Sequence, residues 1–117
     1  MTLLICEDEP LVALELTEEA TRRAIGDVLV VASSDAALRA IEGRRVEAAI
    51  VDLHLEDGRS GPIVARRLAA LGIHTVILSG GELHCDELAD APHIFIRKPT
   101  PAEIVIDCAA LGFRTAA

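Results

Sequence analysis

Apolar residues along this chain fall into short unbroken runs separated by stretches of helical spacing, and the two kinds of segment alternate from one end to the other. Leu3–Cys6, Val28–Val31, Ala48–Asp52, Thr75–Leu78 and His93–Arg97 read as five strands. Leu3–Cys6 is a short apolar run without alternation, which is the pattern of a central strand covered on both faces of a parallel sheet. Between them, Val12, Leu16 and Ala20 recur on one helical face and predict a helix from Pro10 to Ile25, stopped by Gly26. Ser34 is expected to cap a second helix that turns Ala37, Leu38 and Ile41 inward and closes at Gly43. Pro62 opens a third, with Val64, Leu68 and Leu71 on one stripe before Gly72. Residues 82–91 carry only a weak apolar face (Leu83, Leu88, Ala89) ahead of Pro92, so a short or irregular helix is expected there. Thr100-Pro101-Ala102-Glu103 has capping-box chemistry and predicts a last helix with Ile104, Cys108 and Leu111 facing the core. Five strands alternating with about five helices define an α/β domain built on a parallel sheet.

Composition narrows this picture. A chain of 117 residues is one domain long and closes a core without disulfides or structural metal, and the expectation is a single domain over 1–117 with no effector domain. No apolar run approaches the roughly 18 residues of a membrane span, and no basic leader opens the chain, so a cytoplasmic protein without membrane partners is expected. Cys6, Cys85 and Cys108 have no metal-like spacing, and their odd number argues for reduced thiols. The formal charge of −8 and the absence of Trp and Tyr exclude the cationic and stacking surfaces that nucleic acids require. Arg22-Arg23, Arg44-Arg45 and Arg66-Arg67 lie apart and read as solvated faces.

The chemistry gathers at strand ends. Glu7 and Asp8 follow the first strand, Asp52 ends the third, Ser79 follows the fourth and Lys98 the fifth. Open α/β sheets bind ligands beyond the carboxyl ends of their strands. Carboxylates brought together there repel one another, which becomes reasonable if a divalent cation neutralises them, and Mg²⁺ suits an all-oxygen set. His74, His84 and His93 show no ligand spacing, and nothing completes a metal site around His84-Cys85.

Together these residues resemble the receiver domain of bacterial two-component response regulators, the CheY-like fold, from Leu3 to about Leu111. The resemblance is carried by the acidic pair, by Asp52-Leu53-His54-Leu55 running to Gly58, by Ser79 and by Lys98-Pro99. It implies a doubly wound five-stranded sheet of order 2-1-3-4-5. It also implies that Asp52 is the nucleophile accepting a phosphoryl group from a sensor histidine kinase or a histidine phosphotransfer protein. Mg²⁺, with Mn²⁺ as substitute, would be held by Asp8, Asp52, the backbone carbonyl of His54 and Glu7, directly or through water. Lys98 and Ser79 would contact the phosphoryl oxygens, and Ser79 and Phe95 would form the switch. Such a protein catalyses its own phosphorylation and dephosphorylation without being a conventional turnover enzyme. It would act on a downstream protein target through protein–protein contacts, or pass the phosphoryl group onward to a histidine phosphotransfer protein, as a monomer or weak dimer. Within receivers, Ile77-Leu78-Ser79-Gly80-Gly81-Glu82 and Asp90-Ala91-Pro92 are similar to an alphaproteobacterial subgroup found with kinases of the HWE type. Serine stands where threonine is usual there, and Thr100 where phenylalanine is common.

Three other functions compete with this one. A phosphatase of the haloacid dehalogenase type needs a second acid two residues after its nucleophile, where His54 stands. A flavodoxin-like redox protein needs a hydroxyl-rich phosphate loop where Glu7-Asp8-Glu9 would repel the cofactor. A degenerate receiver acting only as a binding module is at odds with an intact Asp8, Asp52 and Lys98.

Overall fold

A computed structural model of the chain describes residues 1–80 and 88–115. Five parallel strands, β1 (Thr2–Cys6), β2 (Asp27–Val31), β3 (Ala48–Asp52), β4 (His74–Ser79) and β5 (Ile94–Arg97), form one sheet of order β2-β1-β3-β4-β5. Four helices accompany them among the described residues: α1 (Pro10–Arg22), α2 (Ser34–Gly43), α3 (Gly61–Ala70) and α4 (Ala102–Thr115). The helix expected over 82–91 falls largely on residues 81–87, outside the described residues, and Leu88–Ala91 form a turn closed by the Ala91 amide on the Leu88 carbonyl.

The continuous apolar runs sort cleanly by alternation. Leu4, Cys6, Ala49, Val51 and Ile77 point to one face, where Ala37 and Ile41 of α2 and Val64, Ala65 and Leu68 of α3 cover them. Leu3, Ile5, Ala48, Ile50, Val76 and Leu78 point to the other, against Leu16 and Ala20 of α1 and Val105, Ile106 and Ala109 of α4. Every residue of β1 and β3 is buried, as a run without polar alternation requires. The chain leaves β1 for one neighbour and β3 for the other, so strand order reverses between them, and a crevice opens at their carboxyl ends.

Several element boundaries differ from those expected. Helix α1 ends at Arg22 rather than Ile25, since the chain turns through Ala24 at φ 53 and the Ile25 amide reaches back to the Ala20 carbonyl. Gly26 serves the start of the sheet: at φ 120, a Cβ there would lie 2.6 Å from the Met1 carbonyl oxygen that accepts the Asp27 amide. The cap of α2 is Ser33, whose hydroxyl accepts the Ala36 amide. Ser34 instead binds Asp57, which accepts bonds from the Ser34 amide and hydroxyl, the Asp35 amide and the Ser60 hydroxyl. Those donors, the Ser34 hydroxyl first, hold the Asp57 carboxyl well below the usual range. They also fasten the loop after β3 to the start of α2.

Leu71, expected on the buried stripe of α3, is exposed at its carboxyl end. In α4 the buried face is Val105, Ile106 and Ala109, while Ile104 and Leu111 face outward and Cys108 is half-buried. The helix starts one residue later than capping by Thr100 would require, and the Thr100 hydroxyl donates to the Arg97 carbonyl instead. No helix among the described residues is long and apolar enough to cross a membrane.

Candidate functional site

Register decides which side chains meet. Cys6 lies opposite Val51, Asp52 opposite Leu78, and Ser79 opposite Arg97, so the carboxyl ends of four adjacent strands are level. One step beyond them come Glu7 and Asp8 from β1 and Lys98 from β5, with Asp52 as the last residue of β3. Residues far apart in sequence therefore converge at one end of the crevice.

The Lys98 ammonium occupies the centre. It lies 2.7 Å from Asp52 Oδ2, 2.7 Å from Glu7 Oε1 and 3.2 Å from Glu9 Oε1. Burial works against its charge, but the contacts with Asp52 and Glu7 outweigh burial and hold its pKa above the ordinary lysine value. Asp52 is buried, and its other oxygen, Oδ1, accepts the His54 amide at 3.1 Å, which fixes the orientation of the carboxylate. The His54 side chain is exposed. Glu7 is 3 % exposed, and its Oε2 accepts the Asp8 amide at 3.1 Å.

Glu7, Asp8 and Asp52 each offer an oxygen, and these oxygens lie within 4.8 Å of one another. Burial, then the neighbouring Asp52, pushes the Glu7 carboxyl up to about 7, against the opposing pull of Lys98. Three carboxylates meeting at one point, two of them buried, place a surplus of negative charge there. An oxygen-bound dication relieves that surplus, so the donor set fits Mg²⁺.

A proton and a dication compete for Glu7, which gives a pH prediction. Magnesium affinity is expected to rise as pH climbs through about 7, with a slope approaching tenfold per pH unit on the acid side. Calorimetric titration from about pH 6 to about pH 8 checks this, with Glu7→Gln flattening the profile; a flat wild-type profile would contradict it. The same raised pKa has a consequence for the metal-free fold. The stabilisation is complete below the ordinary carboxylate pKa and is lost as pH rises through about 7.

The remaining expected residues lie on β4 and β5. Ser79, at the end of β4, is 1 % exposed, and its carbonyl accepts the Lys98 backbone amide at 2.9 Å, tying the end of β4 to the residue that follows β5. Phe95 lies on β5, one residue out of phase with Ile94 and Ile96; those two pack on the α1/α4 side, and Phe95 is 38 % exposed. Cys6 is fully buried next to the site, and burial pushes its thiol up to about 12, which makes it an inert packing residue.

Two residues enter the site that sequence reasoning did not place there. Glu9 reaches Lys98, and its only signal was that the acidic run continues one residue past the pair. Gly61, which reads as a loop residue, is where α3 presses on the end of β3. A Cβ there would lie 2.2 Å from the Asp52 carbonyl oxygen and 2.5 Å from Leu53 Cα.

No protein-family model and no curated protein sequence matches the chain. Solved structures do match. A response regulator receiver protein from Sinorhizobium medicae aligns with a TM-score of 0.82 at 21 % identity, over 100 % of this chain and 97 % of that one. A CheY-like receiver domain protein from Methanospirillum hungatei aligns at 0.80 and 18 % identity, over 91 % and 87 %. The receiver domain of a sensor histidine kinase from Pseudomonas aeruginosa, with a magnesium ion coordinated in its active-site cleft, aligns at 0.78 and 20 % identity, over 97 % of both. The chain spans about half (53 %) of the Thermotoga maritima response regulator DrrB, with a TM-score of 0.81. The fold is thus the CheY-like receiver fold, with the strand order 2-1-3-4-5 that the sequence resemblance implied.

Proposed function

We propose that this chain is a two-component receiver that takes a phosphoryl group on Asp52. The observation that carries the reading is the meeting of Glu7, Asp8 and Asp52 with the Lys98 ammonium at the carboxyl end of a receiver-fold sheet. Surplus negative charge in a crevice is costly for stability and useful for holding a dication beside a nucleophile.

In the proposed reaction an Asp52 carboxylate oxygen attacks phosphorus, and the bond from phosphorus to the donor's imidazole nitrogen breaks, with the nitrogen keeping the electron pair. The His54 amide orients Asp52 by binding the oxygen that Lys98 does not. Lys98 supplies a fixed positive charge and N–H donors where charge accumulates on the phosphoryl oxygens. Asp8, Asp52, Glu7 and the His54 carbonyl would hold Mg²⁺, which when bound offsets charge on the same oxygens. The Ser79 hydroxyl would bind the phosphoryl group once formed, and Phe95, half in solvent on the outer strand, would pass the change to a partner protein. The donor is a histidine kinase or histidine phosphotransfer protein in the cytoplasm. The likeness of residues 77–82 to the HWE-associated subgroup makes a kinase of that type the first to try.

Incubation with acetyl phosphate and Mg²⁺, followed by intact mass measurement, tests the reading. A gain of one phosphoryl group that requires the cation is expected. No gain with acetyl phosphate, phosphoramidate or a phosphorylated histidine donor would remove the proposal.

A further inference from the structure

Lys98 is held by three carboxylates on unequal terms. The side chains of Glu7 and Asp52 are shielded, at 1 % and 7 % exposure, whereas that of Glu9 is 61 % exposed. Asp52 and Glu9 are aligned to accept hydrogen bonds from the ammonium, and Glu7 Oε1 is close without being aligned. An ammonium has three N–H donors; Asp52 and Glu9 take two, Glu7 Oε1 at 2.7 Å crowds the approach to the third, and incoming phosphoryl oxygens need at least one. Withdrawing Lys98 from Glu7 would leave a buried carboxylate without its counter-charge, and Asp52 is the proposed acceptor itself. Glu9 can turn into water, because exposed ion pairs are weak.

Among the described residues, Lys98 is the one side-chain partner of this carboxylate. Glu9 occupies the N-cap position of α1, yet its side chain makes no capping bond; the first turn is held by its backbone carbonyl, which accepts the Ala13 amide at 3.0 Å. Its side chain reaches across to the end of β5 instead.

We propose that Glu9 is a latch on Lys98, an inference that rests on the phosphoacceptor reading of Asp52. In the resting protein Glu9 occupies an N–H of Lys98; on phosphoryl transfer it swings into solvent, and a phosphoryl oxygen takes the donor it vacates. Glu9 forms no bond to the reacting group. It is a positioning residue that slows uptake and re-engages when the phosphoryl group is lost.

Two substitutions separate this from simple repulsion of an anionic donor. Glu9→Gln removes the charge, while Glu9→Asp keeps it and withdraws it by one methylene from Lys98. A latch predicts that both raise the rate of phosphorylation by acetyl phosphate with Mg²⁺, by about two- to fivefold, the range that an exposed ion pair supports. Both should also move the Lys98 ¹⁵Nζ resonance of the protein before any donor is added. Acceleration by Glu9→Gln alone would mean general repulsion and overturn the latch, as would rates and resonances that neither variant changes. If the resonance moves but no variant, wild type included, takes up a phosphoryl group, the phosphoacceptor reading has failed and the latch falls with it.

Discussion

Asp52→Asn is expected to abolish phosphoryl uptake while leaving the protein folded. Asparagine has nearly the shape of aspartate and can still accept the His54 amide, and Lys98 keeps Glu7 and Glu9 as partners. The cost in stability should therefore stay within about 1 kcal/mol, measured by urea unfolding. What disappears is the nucleophilic oxygen and one of three carboxylates around the cation site. Magnesium affinity should fall by at least the ~10–100-fold that loss of a supporting residue at a metal site typically costs. Glu7 should also titrate lower, because Asp52 is one of the two causes that raise it, with burial remaining as the other. A phosphoryl group still gained by Asp52→Asn under donor and Mg²⁺ would place the acceptor elsewhere and defeat the site assignment.

Gly61→Ala should be the most destabilising single-methyl addition in the site's framework. The added carbon would sit 2.2 Å from the Asp52 carbonyl oxygen and 2.5 Å from Leu53 Cα, both backbone atoms that no rotamer change can move. The Gly61 amide is bonded to the Leu53 carbonyl at 3.0 Å, so α3 and the end of β3 cannot separate without losing that bond as well. The expected cost is ~3 kcal/mol, at the upper end for overpacking, or a fall of roughly 10 °C in melting temperature for a domain of this size. Because the strain falls on the backbone of the acceptor itself, phosphoryl uptake should drop too. Gly43→Ala is the control. Nothing lies within 4 Å of a Cβ at that helical position, and the change should be neutral or stabilise by about 0.5 kcal/mol. A Gly61→Ala protein as stable as wild type would show that the close approach is not tight.

The difference between these two residues is instructive about what can be read from a chain. Asp52 was legible because it ends an apolar run, and ends of runs in an α/β pattern become the rim of a crevice. Gly61 looked like any loop glycine, because its requirement comes from a strand that its own neighbours do not contain. Helix faces show the same divide. The Val64 and Leu68 stripe of α3 is set by 3.6-residue spacing, but Leu71 and Ile104 lie at helix ends, where the chain's departure angle decides what faces inward. Ser33 and Ser34 are equivalent as caps in sequence; Asp57, arriving from another loop, claims Ser34 and leaves the cap to Ser33.

By itself, then, the sequence determined the alternation of buried strands and amphipathic helices, and with it the set of polar residues delivered to strand ends. Those properties are local, written in the period of the apolar positions and in the residues that interrupt it. Tertiary structure decided how those residues are shared: that Lys98 binds Asp52, Glu7 and Glu9 together, that burial raises Glu7 to about 7, and that Gly61 must lack a side chain. The Gly61 requirement depends on how α3 packs against the strand just before it, whereas the other two depend on the distance between segments remote along the chain. Only the register of the assembled sheet fixes that distance.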